Sequence, residues 1–355
     1  MKLGMFMMPV HPPDKDRTKT FEEDTAAIVL AEELGFTEAW IGQHHSAAWE
    51  PIPSNDLFIA SLIPQTTSIR LGTGVSILPQ HHPANVATRL AFLDHLSHGR
   101  LNVGFGQGGV PSDWGLFDLP DPKTQGLMTL EAIELIMLLW QADAPFDFKG
   151  EFYRSRIEER IPELRLGELL KPYQRPHPPI AMSIVKGESM AARMAGQRGY
   201  IPLSTNLVAG STVKRHWELY CEGAKESGVG ADPTDWRVSR SIHVGESDEE
   251  ARNFCLQGAF ADSLMYLRGM VNMAGLLDIM KTDPAMPDEA ITREYLVDEI
   301  AITGSPDTVA TKLNRLYETT GGFGTTLMIA HDWDDEPKMR RSLELMAKEV
   351  IPQLP

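Results

Sequence analysis

Two adjacent histidines, followed in the same loop by an aromatic and an acidic residue, are the feature that best indicates chemistry in this chain. His44 and His45 come after the apolar run 39–42, which is typical of a strand end, and Trp49 and Glu50 follow them. In parallel α/β proteins the active site lies at the carboxyl ends of the strands. Because successive strand residues point to opposite faces, the doublet suits a metal ion less well than His-x-His. We therefore predict one working imidazole, one packing or hydrogen-bonding neighbour and no metal; a buried structural pair is the alternative.

Glycines interrupt the apolar segment 71–79 at Gly72 and Gly74. A glycine inside a strand is typical of a bulge or of a close approach by another backbone, and bulges are common beside active sites. We expect a large planar ring to lie over Gly74 and Val75. Simple curvature of a barrel strand is the alternative.

A second glycine-rich segment, 104–109, has the spacing Gly-x-Gly-x-x-Gly after a predicted strand. As a dinucleotide-binding fingerprint it is weak, because that motif opens a helix in an initial β-α-β unit. Here residues 110–115 have the composition of a loop, and the unit is the fourth. We expect either a close approach of this backbone to a flat ligand or a turn that needs a positive φ.

Gly187, Glu188 and Ser189 stand before another predicted helix. The amides at a helix N-terminus and a serine hydroxyl can bind an anion, and phosphate sites of barrels lie at such positions. Lys186 would add positive charge. The pattern predicts a phosphate site, with an ordinary N-cap role for Ser189 as the alternative.

The composition excludes several classes of partner. The chain has 355 residues, is 42% hydrophobic and carries a formal net charge of −16. Such an acidic chain repels nucleic-acid phosphates and anionic membranes, so we expect neither as a partner. Its two cysteines, Cys221 and Cys255, offer no disulfide framework. No stretch approaches the roughly 20 apolar residues that span a bilayer, and we expect a cytoplasmic protein.

The elements that must position these residues alternate regularly between short apolar strands and amphipathic helices. The predicted strands are 1–8, 38–41, 69–77, 101–105, 180–184, 200–203, 237–244 and 325–330. A first helix has a capping box of Thr20 and Glu23 and stops at Gly35. Later helices are predicted at 56–65, 84–96, 127–140, 189–197, 307–319 and 337–350. Eight such units predict an α/β fold, the closed (β/α)8 barrel; an open doubly wound sheet is the alternative.

Three segments are longer than connections require: 108–123, 144–179 and 254–300. Segments of this length are often lids or functional insertions. We expect one domain, 1–355, that carries them as insertions. Apolar helix faces around 59–60 and 90–91 make a homodimer the expected assembly.

Three blocks of the sequence, in this order and spacing, resemble the bacterial luciferase-like flavin monooxygenases, and among them the limonene and diketocamphane monooxygenase-like proteins. The blocks are WIGQHHSAAWEPIPS, LGTGVSILPQHHP and LDHLSHGRLNVGFGQGGVPSD. The resemblance implies a (β/α)8 barrel that uses reduced FMN (FMNH2) from a separate NAD(P)H:flavin reductase. It also implies reaction of that flavin with O2 through a flavin C4a-hydroperoxide, and oxygenation of a small apolar, terpenoid-like substrate. Epoxidation or hydroxylation and Baeyer–Villiger insertion both remain open.

The resemblance also implies roles for residues. His44 matches the catalytic histidine, and Gly74–Val75 matches a bulged, non-prolyl cis peptide under the flavin ring. Gln43 stands where the family often has glutamate, and Gln107 stands where bacterial luciferase has a phosphate-binding arginine. The implied cofactor-binding residues are Thr73, Gly74, Val75, Gln107, Lys186, Gly187, Glu188 and Ser189, and the implied substrate pocket includes Trp49 and Trp114.

Three other functions remain open. An oxidoreductase that transfers hydride with the deazaflavin F420 would use the same fold and need no oxygen. A metal-dependent barrel hydrolase would need His-x-His and convergent carboxylates, which the predicted strand ends lack. A flavin-binding subunit without catalytic activity would not depend on His44.

Overall fold

Eight parallel strands close into a barrel, which confirms the predicted fold. The computed structural model describes residues 1–8 and 10–355 in full and the backbone of residue 9. Around the barrel the strand order is β1-β12-β9-β8-β7-β4-β3-β2. In chain order the strands are β1 (Lys2–Val10), β2 (Glu38–Ile41), β3 (Arg70–Ile77), β4 (Leu101–Gly106), β5 (Phe146–Lys149), β6 (Arg154–Ile157), β7 (Ile180–Ile184), β8 (Ile201–Ser204), β9 (Arg237–Arg240), β10 (Ile242–Val244), β11 (Ile302–Gly304) and β12 (Thr325–His331).

Helices follow the barrel strands, and polar caps set many of their ends. Aspartate or serine side chains accept a backbone N–H at the start of α6, α8 and α11, among others, and a glycine with positive φ follows α6, α7 and α11. The helices are α1 (Arg17–Glu33), α2 (Asn55–Leu62), α3 (Pro83–Leu96), α4 (Pro111–Leu116), α5 (Pro122–Gln141), α6 (Met190–Arg198), α7 (Gly210–Ser227), α8 (Asp248–Gln257), α9 (Ala259–Met273), α10 (Arg293–Tyr295), α11 (Pro306–Thr320) and α12 (Glu336–Leu345).

The predicted start of the first helix at Thr20 is wrong. Asp16 is the N-cap, because its carboxylate accepts the backbone N–H of Lys19 at 2.9 Å. Thr20 lies inside the helix, where its hydroxyl donates to the carbonyl of Arg17. The helix ends as predicted, since Gly35 follows it with a φ of +85°.

Residues 110–115, predicted as a loop, instead contribute to the short helix α4. Pro111 takes the first helical position, where its missing N–H and fixed φ are favourable. The helix predicted at 127–140 also begins earlier, at Pro122, because Asp121 accepts the N–H groups of Lys123 and Thr124.

The single strand predicted at 237–244 is two strands. β9 pairs with β12 in the barrel, whereas β10 pairs with β11 in a separate parallel ladder, Ile242 opposite Ile302. Between them, the N–H of Ser241 donates to the side chain of Asn206. This side-chain partner replaces a barrel hydrogen bond and ends β9.

The chain groups into two compact units. The first comprises Met1–Trp40, Ala48–Pro51 and Ala181–Pro355. One buried cluster in it takes alternate side chains of the barrel strands, as expected for residues that face inwards. Its members are Phe6, Trp40, Ala181, Leu203, Leu327 and Ile329. A larger apolar cluster lies beneath α8 and α9, so most of the expected insertion 254–300 is packed helix. The expectation of a single domain stays a prediction.

The second unit comprises Ile41–Ala47 and Ile52–Ile180. It includes the β3–β4 ladder, and β5 and β6 form an antiparallel hairpin within the expected insertion 144–179. The expectation of exposed apolar faces at 59–60 and 90–91 is wrong, because Ile59, Leu90 and Ala91 are buried. Phe92 on α3 and Leu57 on α2 are exposed instead.

Over the described part of the chain, helices fall short of the length and apolarity that crossing a membrane requires.

Candidate active site

The histidine doublet lies in the loop after β2. Since the strand ends at Ile41, strand alternation does not separate the two rings. The loop is fixed at His44, whose backbone N–H donates to the carbonyl of Ile52 at 2.9 Å. The side chain of His44 is 17% exposed, which leaves it accessible to a ligand.

A buried carboxylate organises this loop. Asp113, on α4, accepts the hydroxyl of Ser46 and the backbone N–H of His45, and its Oδ2 lies 3.9 Å from Nδ1 of His44. Burial raises the pKa of Asp113, but the nearby His44 imidazole and the hydrogen bonds from the Ser46 hydroxyl and the His45 amide outweigh it and lower the pKa to about 2. Asp113 is therefore an anion at neutral pH and can orient the His44 imidazole.

His45 has a different environment. Its ring meets the edge of Phe117 with the centroids 4.7 Å apart. Its Nε2 is buried and has no hydrogen-bond partner among the described residues. The two rings thus have different surroundings, one beside a carboxylate and one packed on an aromatic ring. A catalytic role for His44 stays a prediction.

The expected bulge is present in β3. The register with β4 shifts between Thr73 and Ser76, and the Gly74–Val75 peptide is cis. A side chain on Gly104 would lie 2.3 Å from the carbonyl oxygen of Thr73. The absent side chain there lets β4 pack against the bulge.

Hydrogen bonds fix the bulge from two sides. The Thr73 hydroxyl donates to the carbonyl of Gly104 and accepts its N–H, at 3.0 and 2.9 Å. The amide of Asn55, at the start of α2, donates to the carbonyls of Ile41 and Val75 at 3.2 and 3.1 Å. One buried side chain therefore ties the end of β2 to the bulge.

The remaining glycines of segment 104–109 have local roles. Gly106 faces Val75, whose Cγ2 would lie 2.5 Å from an added Cβ, and Gly108 has a φ of +83°. The expected positive φ thus applies at Gly108, whereas the close approach at Gly106 is by the neighbouring strand, and an approach to a flat ligand stays a prediction. Gly109 has no neighbour within 4 Å, and Gln107 is exposed.

Residues 186–189 lie in the first unit. Ser189 is the N-cap of α6, and its hydroxyl accepts the N–H of Ala192 at 3.4 Å. Glu188 is exposed and pairs with Arg215 at 2.9 Å, and Lys186 is exposed. The geometry suits the ordinary N-cap alternative, and the roles of Lys186, Gly187, Glu188 and Ser189 in phosphate binding stay predictions.

The two tryptophans predicted for the substrate pocket lie in different units. Trp49 stacks on Tyr266 of α9, with centroids 5.4 Å apart and planes 19° apart. Trp114 is partly buried on α4, and its Nε1 is buried with no partner in the described part of the chain. Their contact with substrate stays a prediction.

One group of described side chains has the spacing of a metal site: His11, Glu23 and Asp332. The ammonium of Lys15 already binds Glu23 at 2.5 Å and Asp332 at 2.7 Å. His11 is itself paired with Asp24 and Asp332. A cationic side chain thus stands where an ion would bind, and the metal-free reading of the histidine doublet stays a prediction.

Sequence reasoning missed Asp113 and Asn55 in the second unit and Tyr266 in the first. Asp113 lies in the last block of the resemblance, VPSD, where an acidic residue beside Trp114 was a usable signal. Asn55 and Tyr266 carry no comparable signal, because their partners are distant in sequence.

The family model described as luciferase-like monooxygenase matches residues 1–322. The chain belongs to this family. It is therefore an enzyme of the oxidoreductase class. It is 30% identical to 3,6-diketocamphane 1,6-monooxygenase of Pseudomonas putida over 100% of this chain and 98% of that protein. It is 31% identical to limonene 1,2-monooxygenase of Rhodococcus erythropolis over 98% and 85% of the two chains.

Solved structures extend this comparison. The oxygenating constituent of 3,6-diketocamphane monooxygenase from Pseudomonas putida, a type II Baeyer–Villiger monooxygenase in complex with FMN, has a TM-score of 0.93 at 30% identity and covers 100% of this chain and 99% of its own. An F420-dependent secondary alcohol dehydrogenase has a TM-score of 0.72 at 19% identity, again with 100% and 99% coverage. At that identity the second likeness concerns the fold alone.

Proposed function

We propose that this chain is the oxygenating component of a flavin-dependent monooxygenase that binds FMNH2 and inserts one atom of O2 into a small apolar, terpenoid-like substrate. The observation that carries the proposal is the likeness, over the whole chain, to an oxygenating constituent in complex with FMN. The Rhodococcus relative acts, by its name, on a terpene, which supports the substrate class.

The residues of the second unit fit a flavin. The bulge at Gly74–Val75 gives a backbone surface for a planar ring, and Thr73 fixes that backbone from the β4 side. Two buried polar atoms, Nε2 of His45 and Nε1 of Trp114, have no partner within the described residues. The nitrogen and oxygen atoms at the rim of an isoalloxazine ring can supply such partners. Gln107, Lys186, Gly187, Glu188 and Ser189 remain the proposed contacts for the rest of FMN.

Bound FMNH2 supplies the activation of O2, and the protein supplies position, shielding and proton control. His44 is the proposed proton donor and acceptor, since histidine is the residue type most often used for proton transfer in catalysis. The Asp113 carboxylate faces Nδ1, so Nε2 is the nitrogen left to exchange a proton with the reacting group. Trp49 and Trp114 are proposed to pack against the apolar substrate and exclude water.

The proposed partners follow from the same comparison. The phrase "oxygenating constituent" for the Pseudomonas protein supports a separate NAD(P)H:flavin reductase for this chain. For a homodimer, the exposed side chains Leu57 and Phe92 are the proposed contact, because they flank the Asp56–Arg89 ion pair between α2 and α3. A location in the cytoplasm completes the proposal.

Stopped-flow spectroscopy tests the function. The protein is loaded anaerobically with FMNH2 and mixed with oxygenated buffer, with and without limonene. We expect a transient absorbing species before oxidised FMN appears, and oxygenated limonene as product. His44→Gln should lower the rate of product formation roughly 100-fold, the usual contribution of a general acid or base, and leave FMN affinity nearly unchanged.

Two results would contradict the proposal. Oxidised FMN that appears at once, at the rate seen without protein, would exclude an oxygenating role. Turnover under strict anaerobic conditions with F420 would favour hydride transfer instead.

A further inference from the structure

Two polar side chains of helix α9, one helical turn apart, contact distant segments of the first unit. Ser263 and Tyr266 are separated by three positions, so they lie on the same face of the helix. Their partners, His331 and Glu50, lie far away in sequence, one at the end of β12 and one in the loop that also holds Trp49.

The first attachment is a buried chain of neutral groups. His331 contacts the Ser263 hydroxyl through Nδ1 and the Ser241 hydroxyl through Nε2, both at 2.9 Å. The Ser263 hydroxyl gives its single proton to the carbonyl of Phe260, so it must accept from Nδ1–H of His331. The Ser241 hydroxyl then donates to Nε2 and accepts from the amide of Asn206. The donor and the acceptor of each hydrogen bond in this chain are thereby determined.

Burial keeps this histidine neutral. It lowers the pKa of His331 to about 3, and nearby His243 acts in the same direction. The Phe260 ring also packs on the imidazole, with centroids 4.2 Å apart. The His331 imidazole at this attachment is therefore neutral near pH 7.

The second attachment joins Tyr266, which is half-buried, to Glu50, which is buried. The Tyr266 hydroxyl donates to Oε1 of Glu50 at 2.9 Å, and the Tyr266 ring stacks on the Trp49 indole. Glu50 is buried, whereas both aromatic rings are half-buried. Ala259, Phe260, Ala261, Ser263 and Leu264 precede this pair and are fully packed. The stacked rings are thus the first part of this helix face that is not fully buried.

We infer that Tyr266, on α9, determines specificity by fixing the Trp49 indole against which an apolar, ring-shaped substrate packs. The inference rests on the proposed function. Its basis is that Tyr266 makes two different contacts with this segment, a hydrogen bond to Glu50 and a ring stacked on the neighbouring Trp49. Ligand sites are typically lined by such aromatic side chains, fixed by a few placed polar groups.

Two substitutions separate the contacts. Tyr266→Phe removes the hydroxyl and keeps the stacked ring, and Tyr266→Ala removes both. With FMNH2 supplied, KM and kcat are measured for limonene and for 3,6-diketocamphane. We expect Tyr266→Phe to raise KM roughly fivefold, as for the loss of one hydrogen bond, with kcat changed less than twofold. Tyr266→Ala should raise KM further and alter the ratio of kcat/KM between the two compounds.

Hydrogen exchange of the flavin-free protein gives a readout besides activity. Both variants should exchange faster at 48–51 and 259–273, and Tyr266→Ala more so. The matched control is Tyr295→Phe, which removes another tyrosine hydroxyl of the same insertion, bonded to the carbonyl of Met280. It should leave KM and exchange at 48–51 unchanged.

The inference is overturned if both Tyr266 variants keep the wild-type KM and the wild-type preference between the compounds, or if Tyr295→Phe changes them equally. Failure of the proposed function is a separate result, because it appears in the wild-type protein as immediate oxidation of FMNH2 without product.

Discussion

At the scale of single residues, the candidate site depends on one carboxylate. Asp113 accepts the backbone N–H of His45 and the hydroxyl of Ser46 and lies 3.9 Å from the ring of His44, so a single side chain faces three consecutive residues. An anion beside Nδ1 favours the tautomer that keeps its proton on that nitrogen. The orientation of the imidazole and its tautomer therefore have the same cause.

Replacing this carboxylate with a neutral amide tests that role. Asp113→Asn keeps the shape but removes the charge, so we expect kcat to fall about 10- to 100-fold, at most as much as for loss of the acid–base residue that Asp113 positions. Binding of FMN, measured by equilibrium dialysis, should change little. Asp118→Asn is the control, because Asp118 is exposed and its positive φ suits asparagine. Equal kcat values for wild type and Asp113→Asn would remove Asp113 from the mechanism.

At the scale of elements, the bulge in β3 is fixed by its neighbour rather than by its own sequence alone. β4 comes close only because Gly104 and Gly106 lack side chains. Thr73 and Asn55 then occupy the backbone groups that a regular ladder would have paired. The shape of the proposed flavin platform is therefore a property of two strands and the start of α2.

A methyl group on β4 should disturb that platform. In Gly104→Ala the new Cβ would lie 2.3 Å from the Thr73 carbonyl oxygen, so the backbone of β3 or β4 must move. We expect a loss of stability of about 1–3 kcal/mol, typical of overpacking, and an FMN affinity at least tenfold lower by fluorescence titration. Gly109→Ala, where a Cβ meets nothing within 4 Å, should match wild type. If both variants bound FMN normally, close packing at Gly104 would not shape the site.

Elements with a clear hydrophobic pattern could be predicted from the sequence, and those set by side-chain partners could not. The barrel strands and most helices follow from alternating apolar segments and turns. The start of α1 required knowing that Asp16 rather than Thr20 caps it, and the break after β9 required knowing that Asn206 contacts Ser241. The same holds for the site: the histidine doublet and the glycine bulge are local patterns, whereas Asp113 and Tyr266 act across distant segments.

At the scale of the whole molecule, a charge network joins the ends of the chain. His11 follows β1 and Asp332 follows β12, and their side chains meet at 2.5 Å. Asp24 on α1 binds the other ring nitrogen at 3.0 Å, and Lys15 binds both Glu23 and Asp332. Burial alone would lower the pKa of His11, but the hydrogen bonds and charges of Asp24 and Asp332 outweigh it and raise the pKa to about 9.

This network predicts how stability depends on pH. A histidine whose pKa is higher in the folded state stabilises fully below its unfolded value of about 6.5, and the effect is lost as the pH rises through 9. The contribution of His11 is about 3 kcal/mol at pH 6. The unfolding temperature of His11→Gln should therefore be well below that of wild type at pH 6. The difference between the two unfolding temperatures should be smaller at pH 9.5. His98→Asn, an exposed control, should show no such convergence; a gap for His11→Gln that stays constant with pH would contradict the assignment.

The ammonium of Lys15 gives that network its own counter-ion. If calcium or zinc neutralised this group of imidazole and carboxylates, their contacts would weaken whenever the ion was scarce. Here the neutralising charge is covalently part of the chain, one short loop after His11. The contact between the first and the last barrel strand is consequently insensitive to chelators and to the supply of ions. We expect purification in EDTA to leave this contact intact.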